Sequence, residues 1–153
     1  MRKPAVLLFA LVFALALVVL VGPAAAASLD GSDQGGRPFT TTLTGAAEVP
    51  GPGDPDGIGT ATITLNPGQG EVCFELTVSG VSTPVAAHIH FAPAGVAGGV
   101  VVPLAPPTGG FSSGCRTADR ELVKAIIQDP SAYYVNVHTT EYPAGALRGQ
   151  LSK

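Results

Sequence analysis

Short runs of strand-forming residues alternate with turns rich in proline, glycine and aspartate, and this alternation of strands and turns constrains the fold most strongly. In EVCFELTV (71–78) apolar and other residues alternate, so the apolar side chains share one face. Turn residues fill the segment 66–70. The pattern predicts an all-β fold, an antiparallel β-sandwich or barrel. Further runs of this type cover residues 39–45, 59–65, 86–91, 133–139 and 145–151.

One segment departs from the strand pattern. TADRELVKAIIQDP (117–130) carries apolar residues at helical spacing and has a proline at its end. We expect one short helix there, lying on the sandwich and capped at its N-terminus by Thr117 or Asp119.

The first 27 residues have the layout of a secretory signal peptide. A basic pair precedes an apolar run (5–21), and small residues follow it. Cleavage is expected after Ala26 or Ala27, which predicts a secreted, extracellular protein. The alternative is an uncleaved membrane anchor, because the run lies between the lengths typical of the two classes. After the leader, a flexible lead-in (28–38) and a domain (39–153) are predicted.

Removing the leader leaves about 125 residues, which suits one domain. The formal charge falls from −3 to −5 as Arg2 and Lys3 are lost. With no basic patch, nucleic acid and anionic membranes are poor partners, and no membrane span is expected after cleavage. In an exported chain, Cys73 and Cys115 are expected to form a disulfide bond.

Polar side chains recur on one side of three of the runs. His88 and His90 are two apart, so they project from the same face of their strand. If the runs at 86–91, 133–139 and 145–151 are neighbours, their polar residues meet. The last two runs are joined by TTEYPAG, which predicts a hairpin. The polar residues of this face are His88, His90, Asn136, His138, Arg148 and Gln150.

Two interpretations of this face stay open. Three imidazoles, His88, His90 and His138, are a ligand set for zinc or copper, with Glu48 or Glu75 as a further carboxylate. Otherwise the histidines belong to a structural network of hydrogen bonds with Glu48, Asn136, Arg148 and Gln150, and no cofactor is required. For Arg148 we expect a guanidinium fork that holds Glu48 or a main-chain carbonyl.

The sequence marks out no catalytic residue. A copper–zinc dismutase site needs six histidines and an aspartate, whereas this chain has three histidines. No serine stands in a nucleophile elbow, and neither cysteine is expected to be a free thiol. Asp54 and Asp56 lack the later glutamate of a calcium loop and are interpreted as turn residues.

Three motifs in order resemble the CHRD domain, named from chordin and found as a single exported domain in bacteria. They are LTGAAEVP (43–50), AAHIHFAPAGVAGGVVVPL (86–104) and YYVNVHTTEYPAGALRGQL (133–151). The resemblance covers residues 39–151, with Ala92 where the family commonly has glycine. It implies an immunoglobulin-like or superoxide-dismutase-like β-sandwich. We interpret the chain as a secreted binding module for an unknown protein or other extracellular ligand, without catalysis. The alternative is an extracellular protein that binds zinc or copper through three histidines, for which redox activity stays open.

Overall fold

The computed structural model of the protein describes residues 35–153, so the predicted leader and most of the lead-in lie outside the described residues. Two short 3-10 turns, Gly45–Ala47 and Pro130–Ala132, join the main elements. Within residues 35–153, no helix is long and apolar enough to cross a membrane. The main elements are β1 (Arg37–Thr44), β2 (Ile58–Asn66), β3 (Glu71–Ser79), β4 (Pro84–Phe91), β5 (Gly99–Leu104), β6 (Phe111–Thr117), α1 (Arg120–Gln128), β7 (Tyr133–Thr139) and β8 (Leu147–Gln150).

The strands form one antiparallel sheet in the order β5-β4-β7-β8-β1-β2-β3-β6. The pairing is weakest at the centre of the sheet, where β1 and β8 share a single registered pair, Thr44 with Arg148. The sheet is therefore close to two four-stranded halves. Its two outer edges approach each other, since the Ser112 hydroxyl donates to the carbonyl of Ala105 over 2.8 Å. The predicted all-β, antiparallel fold with one helix is confirmed, and the sheet nearly closes on itself.

One hydrophobic core lies between the two halves of the sheet. The alternation in β3 places its apolar side chains in this core, as the sequence predicts. Both halves and helix α1 contribute fully buried side chains, among them Ile63, Leu76, Ile89, Val123 and Val135. Burial of this kind stabilises the fold by about 25 cal/mol per Å² of apolar surface.

Helix α1 begins where its capping residue predicts. The Asp119 carboxylate accepts hydrogen bonds from the amides of Glu121 and Leu122, at 2.8 and 3.2 Å. These bonds satisfy amides that have no partner inside the helix. The other predicted cap, Thr117, is instead the last residue of β6.

The two cysteines lie opposite each other on neighbouring strands. Cys73 of β3 pairs in register with Cys115 of β6, and the two form the predicted disulfide bond. The bond joins residues that are 42 apart in the sequence. Closing a loop of this length contributes about 4 kcal/mol to stability.

The structure differs from the sequence patterns in places where a strand leaves the core. Strands β5 and β6 were not predicted, because both lie at the edges of the sheet and their residues do not alternate clearly between core and solvent. Phe91 shares the period-two face of the core residues Ala87 and Ile89, but it ends β4 and is 56% exposed. Ala146 shares the period-two side of Arg148 and Gln150, but it precedes β8 and is fully buried in the core cluster.

Candidate metal centre

Strands β4, β7 and β8 are neighbours, and their pairing brings the polar residues of the three sequence runs together. In the register of β4 and β7, His138 pairs with Ala86, which lies two residues before His88. The hairpin predicted between the last two runs is present as β7 and β8. Two rows of side chains cross this face, His88–Asn136–Arg148 and His90–Tyr134–Gln150.

The three histidines form a compact cluster on this face. One ring nitrogen from each of His88, His90 and His138 lies within 4.8 Å of the others. The closest pair is Nδ1 of His88 and Nε2 of His138, at 3.2 Å. His90 is buried, whereas His88 and His138 are half-buried, so the cluster is open towards solvent on the side of the latter two.

Main-chain carbonyls fix the tautomers of two of these rings. Nδ1 of His90 lies 2.9 Å from the carbonyl oxygen of Gly98, and Nδ1 of His138 lies 3.0 Å from that of Pro143. Because a carbonyl oxygen only accepts, each Nδ1 carries the proton and each Nε2 is an unprotonated acceptor. His88 then donates from Nδ1 to Nε2 of His138. The Nε2 of His90 is buried and has no partner among residues 35–153.

The environment favours the neutral form of two of the histidines. Burial lowers the pKa of His88, and the neighbouring His138 and His90 lower it further. Burial is also the main cause of the lowered pKa of His90, opposed by its hydrogen bond to Gly98. Both shifts favour the uncharged imidazole, which is the form that binds metal ions.

The segment between β4 and β5, residues 92–98, covers one end of the polar face and is here called the 92–98 loop. Arg148 is 1% exposed and donates to the carbonyls of Pro93 and Val96, both at 2.9 Å. Gln150 donates to the carbonyl of Ala92 at 2.9 Å. The guanidinium fork therefore holds main-chain carbonyls, one of the two arrangements expected from the sequence.

Tyr134 connects the 92–98 loop to the histidines. Its ring stacks on His90, with centroids 4.7 Å apart, and the Cζ of Arg148 lies 3.4 Å from its centroid. The Tyr134 hydroxyl accepts from the amide of Gly98, whose carbonyl receives the His90 proton. Gly98 has no room for a side chain, because a Cβ there would lie 2.1 Å from the Phe91 carbonyl oxygen.

Glu48 lies buried beneath the same face and contacts Asn136. One carboxylate oxygen accepts from Nδ2 of Asn136, and the absence of a side chain at Gly145 leaves space for this pair. Burial raises the pKa of Glu48 to about 7, although the Val49 amide, Arg148 and Asn136 oppose the shift. Within residues 35–153, the cluster of ligand atoms contains neither Glu48 nor Glu75, the two carboxylates considered from the sequence. Glu75 is exposed on β3, in the other half of the sheet.

Asp54 acts as a turn residue. Its carboxylate accepts from the amides of Asp56 and Gly57, both at 3.1 Å. In this Asx-type turn the carboxylate is occupied by hydrogen bonds to the backbone, as the Pro-Asp-Gly sequence predicts.

Sequence patterns missed two residues of the site, Tyr134 and Gly98. Tyr134 did fall on the polar side of its strand, but nothing in the sequence indicates that its hydroxyl reaches the 92–98 loop. Gly98 belongs to a run of loop residues with no periodic signal. Its role depends on how the loop folds back over β4.

The fold and the site define a class of protein: a small, disulfide-bonded all-β domain with a histidine cluster on one polar face. The chain belongs to the CHRD domain family, whose model matches residues 39–151. The match covers most of the chain and coincides with the strands described above. Searches of curated proteins and of solved structures give no match to the chain.

Proposed function

We propose that this CHRD domain is an exported binding module that holds one zinc or copper ion through His88, His90 and His138. The observation that carries the proposal is the arrangement of lone pairs. Carbonyl oxygens hold the protons of His90 and His138 on Nδ1, and the buried Nε2 of His90 has no partner among the described residues. Metal-binding histidines characteristically donate their other ring proton to a carbonyl or a carboxylate.

The spacing of the ring nitrogens suits a small ion. Tetrahedral coordination with bonds of about 2.0–2.1 Å places ligand atoms about 3.3 Å apart. The nitrogens of His88 and His138 already lie 3.2 Å apart, and no separation in the cluster exceeds 4.8 Å. A side-chain movement of about 1.5 Å therefore closes the site. His88 would move its proton from Nδ1 to Nε2, which is accessible because this ring is half-buried.

The charge of the domain supports a cationic ligand, and its leader and disulfide bond support an extracellular location. Without the leader, the domain carries a formal charge of −5. The leader and the disulfide bond both fit an oxidising compartment outside the cytoplasm. The family model supports a binding role, and we assign no catalytic residue.

A second candidate function is an interaction module that binds a protein or another extracellular ligand without a metal. The favouring observation is a group of exposed apolar side chains on and beside the 92–98 loop. Phe91, Val96 and Val100 are each about half exposed. Apolar side chains exposed together are typical of contact surfaces.

The experiment that separates the two is the metal content of the mature domain, secreted from cells and purified without chelator. We expect about one zinc or copper ion per chain. A His88→Ala/His90→Ala/His138→Ala variant should lose the ion, whereas Glu75→Gln, an exposed carboxylate outside the cluster, should keep it. A folded wild-type domain that stays empty after zinc and copper are added would overturn the metal proposal and leave the interaction module.

A further inference from the structure

The histidine cluster offers three ligands and no fourth. Among the described residues, the groups that converge there are His88, His90 and His138 alone. The nearby carboxylate, Glu48, accepts a hydrogen bond from the Asn136 amide instead. Zinc and copper(II) take four or more ligands, and three-histidine zinc sites characteristically keep a water in the remaining position. An ion at this site would therefore have a coordination position that the protein does not fill.

Asn136 presents a buried acceptor on the same face. It pairs with His88 across β4 and β7 and precedes His138 by two residues, so its side chain shares their side of the sheet. Its Nδ2 donates to Glu48, which fixes the orientation of the amide. Its Oδ1 is buried and has no hydrogen-bond partner among residues 35–153. Leaving a buried carbonyl oxygen without a donor is costly, so this atom favours a ligand that brings a hydrogen-bond donor.

The Oδ1 of Asn136 and the Nε2 of His90 each have a lone pair without a partner among the described residues. Both are buried acceptors without a donor. A metal ion satisfies the imidazole lone pair, but the amide oxygen needs a hydrogen atom. A water molecule on the ion supplies it, because coordination makes water a stronger donor. The two unpartnered atoms are thus accounted for together by one ion and one bound water.

We infer that the fourth position of the ion faces Asn136, is reached from solvent past half-buried His88 and His138, and holds an exchangeable water or hydroxide that donates to Oδ1 of Asn136. The ligand class is small and monodentate, and a proton on its donor atom favours binding. The inference rests on the proposed metal site and adds an open position, together with a positioning role for Asn136. Glu48 supports that role by holding the amide nitrogen of Asn136.

Azide binding to the copper(II)-loaded mature domain tests the open position. Azide replaces bound water and changes the visible and paramagnetic resonance spectra of copper. We expect a one-to-one adduct while the copper content stays constant. In Asn136→Leu, which has a similar size but no acceptor, azide should bind roughly fivefold more tightly, because it no longer displaces a hydrogen-bonded water.

A rescue variant separates the role of Asn136 from a loss of structure. In Glu48→Gln/Asn136→Asp the amide and carboxylate exchange places, which restores an acceptor beside the ion and keeps the formal charge. Its azide affinity should return to the wild-type value or fall below it.

The outcomes distinguish the two proposals. Copper bound through the histidines without any spectral response to azide would overturn the open position and leave the metal site standing. Equal azide affinity in wild type, Asn136→Leu and the double variant would overturn the role of Asn136. A domain that binds no copper would overturn both the metal site and this inference.

Discussion

At the scale of single residues, the buried polar side chains of Arg148 and Glu48 are expected to contribute to the stability of the domain. Arg148 is 1% exposed and makes hydrogen bonds to two loop carbonyls and to the side chain of Gln150. Glu48 is 5% exposed and contacts Asn136. Neither side chain is in the histidine cluster. Their substitution is therefore expected to change stability before it changes metal content.

Arg148→Ala should destabilise the domain by about 3 kcal/mol, because the change removes hydrogen bonds from a charged group and leaves buried carbonyls without donors. The measurement is the free energy of unfolding from urea titration. Arg148→Lys should recover part of the loss, since lysine keeps the charge but cannot hold two carbonyls with one planar group. An unchanged melting temperature in Arg148→Ala would contradict this account.

Glu48 should make the domain less stable as the pH rises. Its pKa is about 7 in the folded protein against an ordinary value of 4.5, so the folded state holds its proton more tightly than the unfolded chain does. The stabilisation is complete below pH 4.5 and is lost as the pH approaches and passes 7, by about 3 kcal/mol in total.

The comparison with Glu48→Gln isolates this effect. His88 and His90, whose pKa values are lowered, contribute the opposite slope, with stability lost as the pH falls below 6.5. The contribution of the two histidines is the same in the wild type and in Glu48→Gln. The wild type should therefore lose stability relative to Glu48→Gln between pH 5 and pH 8, measured by urea unfolding. A constant difference between the two across this range would show that Glu48 does not titrate as described.

At the scale of elements, the sequence predicts strands best where one face meets the core. Alternation predicted both the strand and the core-facing residues in β3 and β7, although the polar side of β7 is largely buried as well. The edge strands β5 and β6 gave no such signal, because their residues are not sorted between core and solvent. Period-two spacing placed each histidine on the polar side of its strand, but grouping the three required the additional assumption that β4 and β7 are neighbours, which the structure bears out. The covering 92–98 loop could not be predicted, since its position depends on long-range bonds from Arg148, Gln150 and Tyr134.

The link between β7 and the 92–98 loop gives a prediction for Tyr134. Its hydroxyl accepts from the Gly98 amide, and the Gly98 carbonyl holds the His90 proton. Tyr134→Phe should lower metal affinity about tenfold, since partners of a ligating histidine typically have effects of this size. Competition with a chelator of known affinity measures the change.

A matched control is Tyr142→Phe, because the Tyr142 hydroxyl makes no hydrogen bond to the described residues. It should leave metal affinity unchanged. Nitrogen NMR of His90 gives a second measurement, since loss of the Gly98 contact should weaken the preference for the Nδ1–H tautomer. Equal affinity and an unchanged tautomer in Tyr134→Phe would show that the Tyr134 hydroxyl does not position His90.

At the scale of the whole molecule, the two halves of the sheet carry different features. The disulfide bond joins β3 and β6 in one half, whereas the histidines lie on β4 and β7 in the other. The halves share one core, and β1 and β8 join them through a single registered pair. Global stability therefore depends on both halves, while the ligand geometry depends on local contacts within β4, β7, β8 and the loops that cover them.

This division predicts that the disulfide bond can be removed without loss of the metal site. Cys73→Ala/Cys115→Ala should lower the free energy of unfolding by about 4 kcal/mol, because the unfolded chain gains the freedom that the cross-link removes. Under native conditions the variant should still bind one ion per chain, since neither cysteine contacts a histidine in the described structure. Urea unfolding and metal analysis on the same preparation measure the two effects. Loss of the ion from a variant that remains folded would show that the two halves are coupled through the core, and that the site depends on more than its own strands.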